Sequence, residues 1–304
     1  MTLPADRLEI SAEVRDALAA GRPLVALETT LVTHGLPHPE GVAVAREMEA
    51  AVRGAGALPA TIGVLDARIH VGMDSARLER LATSRARKLN LGNLAACLAS
   101  GEAGSTTVAA TMLVAHQIGI RVFATGGIGG VHQGAHETGD VSADMTALGR
   151  FPVAVVCSGA KAVLDLPRTV EMLETLGVPI LGFGGDSFPA FYRRESGLRV
   201  DRRYDRIEDL AAAVRAHFAL GAGTGIVVAH PIPREAEIPE DVYAGAVAQA
   251  LADARRAEIG GRDVTPFLLD RLRELTEGKS VRANRALLIA NATLAGRLAQ
   301  ALAG

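Results

Sequence analysis

Short apolar runs of strand length alternate with longer stretches of helical spacing along most of the chain. Strands separated by helices form βαβ units, which build a mostly parallel sheet covered by helices on both faces. The pattern therefore predicts an α/β fold with three layers, α/β/α, around a mostly parallel (mixed) central sheet. The predicted strands lie at 23–30, 60–72 (a strand or hairpin), 120–127, 152–158, 178–185 and 223–231. The predicted helices lie at 39–57, 75–84, 93–101, 106–119, 167–176, 207–219, 239–257, 264–277 and 283–302.

No internal repeat or low-complexity linker interrupts this alternation, so residues 1–304 are expected to form a single domain. The polar, arginine-rich segment 184–205 is interpreted as an excursion from the sheet. Hydrophobic residues make up 49% of the chain, but aromatic residues only 3% and Trp is absent. The predicted core therefore consists mostly of Ala, Val, Leu and Ile.

The charge and the apolar segments indicate a soluble, cytoplasmic protein. The net charge of −2 favours neither nucleic acid nor an anionic membrane as a partner. No run of 18 apolar residues predicts a membrane-spanning helix, and the first residues lack the pattern of a signal peptide. Cys97 and Cys157 lie in apolar contexts and are expected to be reduced and buried.

Several familiar motifs fail on inspection. The sequence "EGKS" ends like a phosphate-binding P-loop, but Arg273 stands where that loop needs its first glycine. In "GGIGG", His132 stands where a dinucleotide-binding fingerprint needs its third glycine. Neither a zinc-type spacing of Cys and His nor a Gly-x-Ser-x-Gly hydrolase motif is present.

Lysine is rare in this chain, and one lysine follows a strand directly. Of the 32 Lys and Arg residues, three are Lys: Lys88, Lys161 and Lys279. Lys161 follows the apolar run "VAVVCS" and a Gly-Ala turn, at the carboxyl edge of a predicted strand. A lysine amine can lose its proton and attack carbon, whereas an arginine stays protonated. Lys161 is therefore a candidate nucleophile; the alternative is a lysine that lies along the start of a helix with its charge in water.

Two further charged positions are candidates for the same site. Glu28 ends the apolar strand "VALE", and a carboxyl group that is partly desolvated has a raised pKa and can act as a general acid. The alternative is a glutamate that only caps the strand. Lys88 lies in the basic segment "RARKLN", where it fits either a phosphate contact or a solvated basic surface.

The segment 125–144 combines dense glycines with His132, His136, Asp140 and Asp144. Carboxylates in such a loop suit Mg²⁺ or Mn²⁺, and Ser142 offers a hydroxyl group to a phosphate. The alternatives are a turn followed by a helix cap, and two histidines that merely share a helix face. In the last helix, Asn284 and Asn291 share one face, where they either hydrogen-bond within the protein or contact a ligand.

Together these stretches resemble the pseudouridine-5′-phosphate glycosidase family, also called the indigoidine synthase A-like family. The resemblance covers about residues 7–302. It is carried by "ALETTLVTHGLPHPEG", "TTVAATMLVAHQIGIRVFATGGIGGVH", "DVSADM", "CSGAKAVLDLPRTVEMLETLGVP", "HPIPREAEIP" and "RDVTPFLLDRLRELTEGKS". The resemblance implies reversible cleavage of pseudouridine 5′-phosphate to uracil and ribose 5-phosphate, a divalent cation such as Mn²⁺ or Mg²⁺, and a homotrimer.

The resemblance also implies roles for individual residues. Lys161 would form the covalent adduct with sugar C1′, Glu28 would donate a proton, and Asp140 would bind the metal. The implied substrate contacts are Lys88, Val108, Thr125, His132, Ser142, Ala143, Asp144 and Asn284. After Lys88 the family often has Ser-Arg-Arg-Asp, where this chain has "NLGN", so the resemblance does not assign the side chains besides Lys88 that hold the phosphate.

Two other classes of function are compatible with these residues. Another imine-forming enzyme, such as an aldolase for a different sugar phosphate, would keep Lys161 but show no activity that depends on uracil. A protein that only binds a sugar phosphate would show neither turnover nor a covalent adduct.

Overall fold

The computed structural model describes residues 3–257, 259 and 264–304. Its strands are β1 (Leu8–Ile10), β2 (Leu24–Leu27), β3 (Leu58–Leu65), β4 (Arg68–Val71), β5 (Arg87–Leu89), β6 (Gly104–Thr106), β7 (Val122–Ala124), β8 (Ala154–Cys157), β9 (Ile180–Phe183), β10 (Arg202–Tyr204) and β11 (Ile226–Ala229). Its α-helices are α1 (Ala12–Ala19), α2 (Glu40–Gly54), α3 (Ser75–Ala82), α4 (Leu94–Ser100), α5 (Val108–Ile118), α6 (Ala135–Thr138), α7 (Ala143–Leu148), α8 (Leu166–Thr175), α9 (Ile207–Ala219), α10 (Glu240–Arg256), α11 (Val264–Leu275) and α12 (Lys279–Ala303). A π-helix (Leu31–Gly35) and two short 3₁₀ helices (Ala5–Arg7 and Arg234–Ala236) complete the regular structure.

The strands form one mixed sheet. Its order is β1-β4-β3-β2-β7-β8-β11-β9-β10, with β6 beside β3 and β5 beside β6. The pairs β3–β4 and β3–β6 are antiparallel, and the other pairings are parallel. The predicted mostly parallel sheet is confirmed, and the segment 60–72 forms the hairpin β3–β4.

Helices cover both faces of the sheet, which confirms the three predicted layers. One apolar cluster packs α2, α3 and α9–α12 against the sheet, and a second packs α1, α4, α5, α7 and α8 against the opposite face. Side chains point alternately to the two faces of a strand, so each central strand contributes to both clusters. In β2, Val25 and Leu27 belong to the first cluster, and Leu24 and Ala26 to the second.

Local signals in the sequence explain several helix ends. Asp74 and Asp165 are N-caps of α3 and α8, where they accept hydrogen bonds from the backbone N–H groups of Arg77 (2.8 Å) and Arg168 (3.1 Å). Gly119 ends α5 in a left-handed conformation with φ of 87°, a conformation that glycine adopts without strain. Side-chain caps thus fix the starts of α3 and α8, and a glycine fixes the end of α5.

The longest helix, α12, would be long and apolar enough to cross a membrane by length and composition alone. In this fold it packs against α2, α9 and the strands β2, β7 and β8. It begins at Lys279, four residues before the predicted start.

The segment 184–205 leaves the sheet after β9 and returns to it as the edge strand β10, which the sequence did not predict. Cys97 and Cys157 are buried free thiols, as expected. Burial raises the pKa of the Cys157 thiol to about 12, so it stays protonated at neutral pH.

Candidate active site

The candidate site lies where three neighbouring parallel strands end. β2, β7 and β8 are adjacent in the sheet, so their carboxyl ends meet at the same edge. Glu28 follows β2, Thr125 follows β7, and Lys161 comes four residues after β8. In open α/β sheets ligands bind beyond this edge. The fold thus brings together the two side chains that the sequence predicts to be catalytic.

Backbone hydrogen bonds fix the segment that carries Lys161. The chain after β8 continues to pair with the chain after β7, because Ser158 N–H donates to the Gly126 carbonyl (2.9 Å) and Lys161 N–H to the Ile128 carbonyl (3.0 Å). Gly159, between them, has φ of 75°, and a Cβ there would lie 1.8 Å from the Pro189 carbonyl oxygen. This turn therefore requires glycine, and it sets the direction in which Lys161 leaves the sheet.

Glu28 is a buried carboxyl group beside this lysine. Glu28 is 7% exposed, and Thr125 Oγ1 donates a hydrogen bond to Glu28 Oε1. Burial raises the pKa of Glu28, while the positive charge of Lys161 and the Thr125 hydrogen bond oppose that shift. A carboxyl group with a raised pKa keeps its proton at higher pH, as a general acid must.

Two adjoining cavities are lined by these groups. The outer cavity, of about 390 Å³, is lined among others by Lys88, Ser142 and Asp140. The inner cavity, of about 50 Å³, is lined among others by Glu28, Thr125 and Asn284. Lys88 and Lys161 line both cavities and so stand at their junction. A larger groove of about 460 Å³, between α10 and α11, contains none of the predicted site residues.

Asp144 connects the glycine-rich loop to helix α5. Its Oδ1 accepts a hydrogen bond from Ala109 N–H (2.9 Å) at the start of α5, and its Oδ2 accepts one from Gly129 N–H (2.7 Å). Ser142 is the N-cap of α7 and accepts a hydrogen bond from Asp144 N–H (3.2 Å). Ser142, Ala143 and Asp144 also line the outer cavity. The helix-cap interpretation of this segment therefore applies, and its place in the cavity lining suits the binding-site interpretation.

Asp140 and His132 are neighbours in the lining of the outer cavity. His132 N–H donates to the Asp140 carbonyl (3.1 Å), and the side-chain atoms His132 Nδ1 and Asp140 Oδ2 are 4.0 Å apart. Burial lowers the pKa of His132, and Asp140 only partly opposes this. A neutral imidazole that can donate or accept a hydrogen bond is therefore available beside a carboxylate.

The donors here fit a hard cation that keeps part of its water shell. No three His, Cys, Asp or Glu side chains converge on one point in the described part of the chain. Mg²⁺ and Mn²⁺ bind in proteins through one or two carboxylates together with waters and phosphate oxygens. Asp140 lines the outer cavity and can supply such a carboxylate, whereas both Asp144 oxygens already accept backbone hydrogen bonds.

Comparison with known proteins identifies the family. The profile described as indigoidine synthase A like protein matches residues 13–301. The chain belongs to the indigoidine synthase A-like family. It is 54% identical to the pseudouridine-5′-phosphate glycosidase of Methylobacterium nodulans, covering 99% of this chain and 90% of that protein. It is 53% identical to the protein of the same name from Paracoccus denitrificans, covering 97% and 98%.

Two solved structures share the fold of this chain. The prealnumycin C-glycosynthase AlnA, in complex with ribulose 5-phosphate, superposes with a TM-score of 0.91 at 38% identity, covering 99% of this chain and 98% of that one. An indigoidine synthase A-like protein from Thermotoga maritima gives a TM-score of 0.89 at 36% identity, covering 98% and 97%. These matches confirm the α/β fold class of the family in this chain.

Most of the residues that the family resemblance implies line one of the two cavities. Lys88 lines both, on strand β5, so it does not belong to a solvated basic surface. Val108 is an exception, because its side chain is fully buried in the core and lines neither cavity. Any contact of Val108 with a substrate must therefore use its backbone. His136 is exposed, and the site contains only the first of the two predicted histidines.

The two asparagines of α12 have different surroundings. Asn291 is 0% exposed; its Nδ2 donates to the Thr125 carbonyl (2.9 Å) and to Ser158 Oγ (3.2 Å), and its Oδ1 lies 3.1 Å from His230 Nδ1. Asn291 thus connects the ends of β7, β8 and β11. Asn284 lines the inner cavity instead. Asn291 thus hydrogen-bonds within the protein, which is one of the two alternatives that the sequence left open. The position of Asn284 suits the other alternative, contact with a ligand.

Several residues that line the two cavities were not predicted from the sequence. His34, in the π-helix, lines the inner cavity, and Thr107, Asn90 and Asn93 line the outer one. Burial, together with the charge of Lys88, lowers the pKa of His34 and so favours its neutral form. The sequence places His34 six residues after Glu28. Only the π-helix, which bends the chain between them, brings both residues into the lining of the inner cavity.

Proposed function

We propose that this chain cleaves the C-glycosidic bond of pseudouridine 5′-phosphate reversibly, to give uracil and ribose 5-phosphate. The observation that carries the proposal is a buried Glu28 with a raised pKa in the same cavity as Lys161. Near-full-length similarity to pseudouridine-5′-phosphate glycosidases supports the choice of substrate. The similarity to a C-glycosynthase bound to ribulose 5-phosphate supports a sugar phosphate and a carbon–carbon bond.

The bond that is broken explains why an amine is needed. Most glycosidases use two carboxyl groups and a leaving oxygen that one of them protonates. In pseudouridine the base is attached through C5, and a carbon leaving group would depart as a carbanion. Covalent catalysis by an amine avoids this, because the nitrogen lone pair can stabilise positive charge on C1′.

The proposed steps balance through one acid and one amine. The Lys161 amine bonds to C1′ as the C1′–O4′ bond breaks, Glu28 protonates O4′, and the new ammonium returns a proton to Glu28. Glu28 then protonates C5, the C1′–C5 bond breaks, uracil leaves as a neutral molecule, and C1′ becomes an iminium. Water adds to C1′ and loses one proton to the Glu28 carboxylate. The remaining hydroxyl proton moves to the lysine nitrogen as the C–N bond breaks, so ribose 5-phosphate leaves and both the amine and the acid are regenerated.

The remaining residues have binding roles in this proposal. Lys88, Ser142 and the backbone at Val108, Ala143 and Asp144 bind the phosphate side, while Thr125, His132 and Asn284 contact the sugar and base. Asp140 would hold Mn²⁺ or Mg²⁺, which when bound neutralises phosphate charge. The homotrimer and the cytoplasmic location stay predictions.

Borohydride trapping tests the covalent step. With ribose 5-phosphate, reduction should add the mass of the sugar phosphate to Lys161, as mass spectrometry of peptides would show. Lys161→Arg should lose the adduct and lower turnover on the order of 10³-fold or more, because arginine offers no free amine. The matched control is Lys279→Arg, at an exposed position, which should keep both the adduct and the activity.

The same assay separates the alternatives. Absorbance should change when uracil and ribose 5-phosphate are mixed with the enzyme and Mn²⁺, and a chelator should slow that change. An adduct without any uracil-dependent change would indicate another imine-forming lyase. Binding of ribose 5-phosphate with neither adduct nor turnover would indicate a protein that only binds sugar phosphates.

A further inference from the structure

A third cavity adjoins the inner cavity. This side cavity, of about 280 Å³, lies between the π-helix and helices α11 and α12, and its rim includes Asp270 and Arg273. The side cavity shares four lining residues with the inner cavity: His34, Gly35, Leu269 and Asn284. The inner cavity therefore has two junctions, one at the two lysines toward the outer cavity and one at these four residues.

The order of events in the proposed function makes a second opening useful. When the sugar is bonded to Lys161 and its phosphate lies in the outer cavity, the base on C1′ occupies the inner cavity beside Glu28. The base must then leave while the sugar phosphate stays covalently bound and fills the outer cavity. We infer that the base leaves and enters through the side cavity, past His34 and Asn284. This inference rests on the proposed function.

The two junctions differ in charge in the way this route requires. The junction toward the outer cavity has the two lysines, which suit an anionic phosphate. The junction toward the side cavity is formed by an imidazole, a glycine, a leucine and an amide, without a carboxylate, lysine or arginine among these four. Asp270 and Arg273 at the rim pair with each other (2.6 Å).

The polar groups at the second junction match a neutral heterocycle. His34 Nδ1 lies 2.6 Å from Thr33 Oγ1 and 3.3 Å from Ser105 Oγ, so Nε2 is the ring nitrogen left for a ligand. The Asn284 amide offers one donor group and one acceptor. A flat, neutral ring with alternating carbonyl and N–H groups is the class of ligand that such a junction passes.

Gly35 allows this passage to be narrowed without backbone strain. It lines both the side and the inner cavity, and its φ is not positive. A Cβ built there would meet only Leu31 Cβ at 3.5 Å and the Thr30 carbonyl oxygen at 3.7 Å, which are ordinary contacts. Because Gly35 lines both cavities, the side chain added in Gly35→Leu should occupy space between them.

The test compares the use of uracil with the use of ribose 5-phosphate. In the synthesis direction, Gly35→Leu should lower kcat/KM for uracil at least tenfold. Borohydride trapping of ribose 5-phosphate on Lys161 should keep a rate within twofold of the unmodified enzyme. Gly35→Ala should have an intermediate effect on uracil use. Gly245→Leu, at an exposed glycine of α10 with nothing within 4 Å of its Cβ position, is the matched control and should behave like the unmodified enzyme.

A second variant keeps the inference testable if Gly35→Leu does not fold. Leu269→Trp narrows the same junction from α11 and should also lower uracil use while sparing the adduct. An equal loss of adduct formation and uracil use in the folded variants, or no loss of either, would overturn the side route. If the unmodified enzyme forms neither adduct nor product, the proposed function itself fails, and the two failures are thus distinct.

Discussion

Glu28 illustrates at the scale of one residue how the fold accepts a cost in stability at its site. A carboxyl group at the end of an apolar strand, with little access to water, lacks the hydration that would stabilise its ionised form. The nearby positive charges of Lys161 and Lys88 and the Thr125 hydroxyl reduce that cost without removing it, since the pKa of Glu28 remains raised. Perturbed groups of this kind are frequent at catalytic sites.

Replacing Glu28 by Gln should stabilise the protein while inactivating it. Because the pKa is higher in the folded chain than its ordinary value of 4.5, the folded chain holds more protons from about pH 4.5 upward. The contribution of Glu28 to the free energy of unfolding is therefore greatest at acidic pH. It falls as the pH rises from about 4.5 through the raised pKa of the folded chain. The Tm of Glu28→Gln should exceed that of the unmodified protein at pH 8, the gap should shrink toward pH 5, and turnover should fall on the order of 10²–10⁴-fold.

Thermal unfolding over a pH series, with an exposed glutamate as control, checks this expectation. The Arg53 guanidinium lowers the pKa of Glu13, so the ionised form of Glu13 stabilises the fold. Replacing Glu13 by Gln should therefore change Tm in the opposite direction from Glu28→Gln. Glu13→Gln should lower Tm at pH 8. The corresponding loss in the free energy of unfolding should be no more than ~1 kcal/mol, because the Glu13–Arg53 pair is exposed. A Tm gap for Glu28→Gln that is independent of pH would contradict the argument.

Residue type determined which site residues could be predicted from the sequence. Lys161 and Glu28 stand out because a rare amine and a carboxyl group interrupt apolar runs. His34 and Thr107 do not, because their positions depend on a π-helix and on the start of α5. Val108 shows the converse limit, since a sequence match does not reveal that the side chain points into the core.

At the scale of elements, α12 holds the site together through Asn291. This one amide bonds to groups at the ends of β7, β8 and β11, the strand that leads to Lys161 and two strands near it in the sheet. Asn is a poor helix former, so its presence in the middle of a long helix needs such a compensation. The helix therefore fixes the relative positions of strand ends as well as covering one face of the sheet.

Asn291→Ala and Asn284→Ala should separate stability from function. Asn291→Ala leaves the Thr125 carbonyl and the Ser158 hydroxyl without this partner, which should cost about 2 kcal/mol or more. Asn284→Ala should cost less than ~1 kcal/mol and raise KM, because Asn284 lines the inner cavity. Urea unfolding and steady-state kinetics measure both effects; equal losses of stability in the two variants would contradict the distinction.

Long elements were predictable, whereas short ones were not. Helix α9 has its predicted bounds of 207–219, because its apolar spacing extends over several turns. β5 and β6 have three residues each, too few for a period to be recognised, and β5 includes Arg87 and Lys88. These strands form through their pairing with each other and with β3, which only the folded chain provides.

At the scale of the whole molecule, the two apolar clusters share one sheet. Phe123 of β7 and Val155 of β8 point to one side, while their neighbours Ala124 and Val156 point to the other. If one cluster unfolded while the other stayed packed, the apolar side chains on one face of these strands would be exposed to water. The candidate site at the strand ends depends on both clusters.

The two clusters should consequently unfold together. Leu287→Ala in α12 and Leu148→Ala in α7 each remove a fully buried side chain, one from each cluster, and each should cost about 2–5 kcal/mol. Leu220→Ala, at a residue that is 81% exposed, should stay within ~0.5 kcal/mol of the unmodified protein. In urea, both core variants should show one transition in which far-UV circular dichroism and activity are lost at the same midpoint. If Leu148→Ala instead gave two transitions while Leu287→Ala gave one, the second cluster would be an independent folding unit and the shared sheet would not couple the two faces.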